Sequence, residues 1–218
     1  MYKRQVQITR IEVWVTNRSN RVENVRNVVA LQDLGESDIL GNAAVIPISG
    51  PGAYPDNGNN QLDPTAIGVG ASQLTEAVRD IATVQSGILV PGANEGFDYA
   101  KLENTRKLID GQEYVLNSQL GYISLNQRLN NDEILAVAFQ YTVGGEVYQV
   151  GEFANDGVSA TDVDPNTAPG GVPIVSNKAL ILKLLKSSIT NTSQPIWDLM
   201  MKNIYNTCLL YTSPSPRD

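Results

Sequence analysis

The chain has 218 residues, with 16 Lys and Arg against 23 Asp and Glu, for a formal net charge of −7. It has no His and a single Cys, which excludes an internal disulfide framework and a Cys/His zinc site. The acidic balance argues against a nucleic-acid partner, no apolar run reaches the length of a spanning helix, and 42% hydrophobic residues suffice for a sizeable core.

Both ends read differently from the middle. Back-translation of residues 208–218, which include Cys208, gives without a gap the transposase adapter used to build sequencing libraries. The reverse complement of that adapter's inner end encodes residues 1–5, with a GTG start read as Met1. We therefore expect residues 1–5 and 208–218 to be adapter-derived and residues 6–207 to be a fragment of a longer gene. Without Lys3, Arg4, Arg217 and Asp218 the insert would carry about −9.

Residues 6–17 alternate Ile11, Val13 and Val15 with Glu12, Trp14 and Thr16, the period-two pattern of a strand. A turn cluster at 17–20 precedes a second apolar run, Val28 to Leu31. Residues 47–70 are rich in Pro, Gly and Asn and read as an irregular loop. Ser72 is the expected N-cap of a helix carrying Leu74, Val78 and Ile81 on one side, with Glu76 in its first turn.

From Phe97 the chain returns to β character. Residues 113–117 and 121–125 are expected as short strands, and 130–133 as a turn. Residues 134–143 and 146–153 flank Gly144-Gly145 and predict a central hairpin, since both glycines tolerate positive φ. Residues 155–177 read as a second loop, 178–186 as a strand with a helix as the alternative, and 195–205 as a helix opened by Pro195. The whole predicts a mainly β, sandwich-like antiparallel domain with two minor helices.

Several groups of residues invite chemistry. Asp162 and Asp164 beside Asn155-Asp156-Gly157 suggest calcium, but the spacing lacks the twelve-residue pattern and its terminal Glu, which favours a solvated loop. Gly68-Val69-Gly70-Ala71-Ser72 lacks the lysine of a phosphate loop and reads as flexible entry to a helix. Glu95 with Glu103, or Asp132 with Glu133, would serve glycoside hydrolysis only across a cleft; solvated surface acids are the simpler reading. Trp14, Trp197, Tyr122, Tyr141 and Tyr148 would stack on sugars if presented together, and otherwise belong to core or interface. No catalytic, cofactor-binding or metal-ligating residue is assigned, and the chain is not expected to be an enzyme.

Four segments taken in order carry a resemblance: residues 10–18 (RIEVWVTNR); 25–36 (VRNVVALQDLGE); 119–126 (QLGYISLN), running through 132–142 (DEILAVAFQYT) to 148–153 (YQVGEF); and 182–186 (LKLLK) with 197–205 (WDLMMKNIY). In these the chain resembles the SprA/Sov family over nearly all of residues 8–206, departing at both ends and in the loops. The resemblance implies a structural part of the outer-membrane protein-conducting translocon of type IX secretion, linked to gliding motility at the cell surface. It implies as partners a PorV-like shuttle, a plug protein and secreted cargo with C-terminal sorting domains. It brings no catalytic residue and no cofactor. Barrel-wall strands would run about ten residues with an apolar lipid face; 134–143 has that length, but its neighbours are too short and the long polar loops too frequent, so the expected placement is a soluble insert of a giant outer-membrane β-barrel protein, on its periplasmic or extracellular side. The alternative is a surface carbohydrate-binding or adhesin-like β-sandwich module.

Overall fold

The computed structural model describes residues 7–19, 21–32, 74–89, 93–143, 145–156, 159–164 and 174–189. The expected loop at 47–70, the Ser72 cap, the helix at 195–205 and the adapter-like ends, Cys208 included, lie outside these residues. Ten strands are described: β1 (Gln7–Val15), β2 (Val25–Leu31), β3 (Tyr99–Lys107), β4 (Tyr114–Asn117), β5 (Tyr122–Leu125), β6 (Leu135–Val143), β7 (Glu146–Val150), β8 (Thr161–Asp164), β9 (Ile174–Asn177) and β10 (Leu180–Lys186).

The fold is mainly β and sandwich-like, and strand pairing closes it. The main sheet runs β1-β3-β2-β10-β6-β7, and β1 also pairs with β6. Five strands thus form a ring, with β7 attached to β6. β1 follows β6 from Gln7↔Thr142 to Val15↔Leu135, while its seam with β3 is short, Trp14↔Lys107 and Val15↔Arg106. All pairings in the ring are antiparallel except β10 with β2, which is parallel. The hairpin at 134–153 is present, with β6 as the hub of the sheet and β7 at its margin.

Closure explains the composition of the strands. Alternate residues from all five ring strands form one buried cluster: Trp14, Val28 and Ala30, Ala100 and Leu102, Ala136 and Ala138, and Leu180, Leu182 and Leu184. This is the inside of the ring, and the alanines there make room for Trp14 and for Phe153, which enters from the 151–156 turn. The other face of β2 and β10 is covered by residues 74–89, through Leu74, Val78, Val84 and Ile88. The other face of β1 and β6 is covered by the β4–β5 hairpin, through Tyr114, Leu116, Ile123 and Leu125. With both faces covered, strands need apolar residues at successive positions. That is why Val28–Leu31 and Leu180–Leu184 read as unbroken runs, with only Lys183 interrupting the second.

The structure corrects three expectations. Residues 74–88 do not form one helix. They form a 3-10 turn, Glu76–Arg79, and a single α turn, α1 (Val84–Gly87). The Arg79 carbonyl accepts the Ala179 N–H, Asp80 Oδ1 accepts the Ala82 N–H, and Leu74 bridges to Ile88. Groups that a continuous helix would use are spent on the sheet and on turns. A Cβ on Gly87 would sit 2.2 Å from the Val78 nitrogen, so this glycine lets the two turns pack backbone to backbone. Within 155–177, expected as loop, β8 and β9 pair as a separate ribbon. Finally, within the β character expected from Phe97 onward no strand is delimited before residue 113, and the structure places β3 there; only Ala100 and Leu102 mark its inner face among polar neighbours.

Candidate functional site

Two polar assemblies stand out, one sealed and one open. The sealed one closes an end of the ring. Arg10 and Glu12 continue the face of β1 that carries Trp14 inward. Glu12 is buried; its Oε1 accepts Lys107 Nζ at 2.6 Å and its Oε2 accepts the Ala154 N–H at 3.1 Å. Arg10 lies over the Phe153 ring, 3.8 Å from its centroid, and donates to Asp156 at 2.5 Å. The 151–156 turn is therefore held to the ring by its apolar side chain and by charges on both sides. Gly151 starts this turn with φ +77, and a Cβ there would meet Ala138 Cα and the Val137 carbonyl oxygen at 3.1 Å.

The same network runs on to residues 74–89. Glu152 is fully buried and receives both Arg79 Nη1, at 3.0 Å, and Nη2, at 2.8 Å. Its Oε2 also accepts the Ile181 N–H at 2.9 Å. Burial opposes the Arg79 charge, but the hydrogen bonds and charge of Glu152 outweigh it and raise the Arg79 pKa above the ordinary arginine value. Arg26 interacts electrostatically with both Glu12 and Glu152. Burial, with the nearby Arg79 charge, outweighs the two glutamates and lowers its pKa. Its guanidinium donates to the carbonyls of Ala154, Ser159 and Lys178, which anchors both roots of the β8–β9 ribbon. Each of these charges is engaged in holding two or more elements together, and the arrangement is a structural clasp.

The open assembly is a groove of about 650 Å³ lined by Asn27, Asp80, Ile81, Ala82, Glu95, Lys101 and Glu103. It brings together Glu95 and Glu103, the pair considered from sequence, with Lys101 ion-paired to Glu95 at 2.8 Å. The Lys101 pKa is raised, chiefly by the hydrogen bond to Glu95. Asp132 and Glu133 lie elsewhere: Asp132 pairs with Arg18, and Glu133 Oε2 closes the turn by accepting the Asn130 N–H at 2.6 Å.

The remaining sequence candidates separate. Asp162 and Asp164 belong to strand β8 rather than to a loop, and among the described residues no group of acids, His or Cys is arranged to hold a metal. The Gly68–Ser72 segment and Trp197 lie outside the described residues. Among the described residues, the aromatics Trp14, Tyr122 and Tyr141 form no platform, and the Tyr148 side chain lies outside the described structure. Trp14 is 1% exposed inside the ring, Tyr141 stacks on Phe139 with centroids 6.0 Å apart, and Tyr122 is exposed on the hairpin β4–β5. A glycan could not reach the Trp14 face without opening the core, so the carbohydrate-binding alternative is not favoured. Sequence reasoning missed the clasp, because Arg79 and Glu152 are 73 positions apart. The one available signal was a Glu amid the apolar run Val150–Phe153.

Among known proteins, residues 1–130 match the family model SprA_N, described as motility-related/secretion protein. No curated protein matches the chain. The family match ends before β6, so it takes in three of the five ring strands and the covering hairpin.

Proposed function

The chain belongs to the SprA_N family of motility-related and secretion proteins, and on that premise we propose that it is a structural part of the outer-membrane protein-conducting translocon of type IX secretion. The observation that carries the reading is the family match over residues 1–130. The geometry supports it in a specific way: the buried charges serve as a clasp, and the ring interior is filled by side chains, so the domain is suited to hold a fixed shape. Under this reading its work is mechanical, without a reaction. Its partners are a PorV-like shuttle, a plug protein and secreted cargo.

The domain is placed as a water-exposed insert between barrel strands, on the periplasmic or extracellular side. Both faces of the long strands support this, since they are covered by protein on each side. No helix among the described residues is long and apolar enough to cross a membrane. The test is to replace residues 7–189 by a short linker in the complete gene, then measure cargo display at the cell surface and gliding. Loss of both, with the barrel still inserted, is the expected result; unchanged display would overturn the proposal. Cysteines placed along 134–153 and probed with lipid-accessible reagents test the placement. Labelling at alternate positions would identify barrel wall instead.

A further inference from the structure

No further inference is drawn: the strongest candidate, the open groove on the outer face of β2 and β3 beside residues 80–82, is a cluster of acids (Asp80, Glu95 and Glu103) around a lysine already paired with Glu95, and no second observation points to a ligand for it.

Discussion

The sealed end of the ring and the open groove on its flank contain the same kinds of side chain in opposite circumstances. At the sealed end, Glu152 is 0% exposed and Arg79 is 7% exposed, and they meet through two hydrogen bonds. In the groove, Glu95 is 48% exposed and Lys101 29%, and they meet through one short contact. Removing one partner of a dry pair strands a charge in a medium that cannot solvate it. Removing one partner of a wet pair returns the other to water, with little net change. Proximity in sequence would have ranked them the other way: the groove pair lies within six residues, whereas Arg79 and Glu152 are 73 positions apart.

Four measurements break or sharpen this comparison. The largest effect is expected from truncation after residue 130. The matched portion holds β1, β2 and β3 of the ring but lacks β6 and β10, and with them both of β1's long seam and the Glu152 side of the clasp. Such a piece should show no cooperative urea transition by circular dichroism, whereas residues 7–189 should show one. A cooperative transition in the shorter piece would mean that the ring is not the folding unit.

Next comes Glu152→Ala. It removes the acceptor of Arg79 Nη1 and Nη2 and of the Ile181 N–H, leaving Arg79 its contact with the exposed Glu76 at 3.5 Å, and should lower stability by about 3–5 kcal/mol. The readout is the shift in urea midpoint at unchanged slope. A loss below about 1 kcal/mol would show that water reaches the clasp.

A smaller effect, of opposite sign, is expected from Asp98→Asn. Asp98 is buried, its Oδ2 accepts only the Asn94 N–H at 2.8 Å, and its Oδ1 has no partner among the described residues. Burial raises its pKa against the lowering effect of that one hydrogen bond. In the folded state it therefore holds its proton to higher pH than in the unfolded chain. Its contribution to stability is fully present below the unfolded carboxylate pKa, near 4, and is lost as pH rises through the folded value. Asp98→Asn should flatten that fall and raise the melting temperature at pH 7 relative to the parent. A variant less stable than the parent at pH 7 would show that the ionised carboxylate is needed.

The smallest effect belongs to Lys101→Ala. It breaks the groove's ion pair, but both groups are solvated, so the change in stability should stay within about 1 kcal/mol and shrink further in salt. Chemical denaturation of this variant beside Glu152→Ala compares the two assemblies directly. Equal losses would erase the distinction between them.

Legibility followed locality. β1, the β4–β5 hairpin and the β6–β7 hairpin were readable, because each is announced by its own alternation or turn: Ile11, Val13 and Val15 on one face, and Gly144-Gly145 at the connection. β3 escaped because its inner face is only Ala100 and Leu102 before Asn104, at φ 50, interrupts the pattern. The expected helix after Ser72 placed Leu74, Val78 and Ile81 correctly on one buried or half-buried side, yet its backbone conformation was decided elsewhere, by the Ala179 N–H and by Gly87 against Val78. Of the proposed acid pairs, Glu95 and Glu103 do line one groove, which nothing in the sequence had placed together; the simpler reading there was solvated surface acids. Trp14 was weighed as a sugar platform against core or interface, and the core reading holds for it.

By itself, then, the sequence determined the β class, most strand positions, the acidic balance and the family, because each depends on residue identity, short-range periodicity or extended similarity. Ring closure through β1, the parallel pairing of β10 with β2, and the Arg79–Glu152 clasp were decided only by tertiary structure. The physical reason is that a hydrogen-bonded edge and a buried charge each need a partner, and the chain's local pattern states the need without naming which distant segment will meet it.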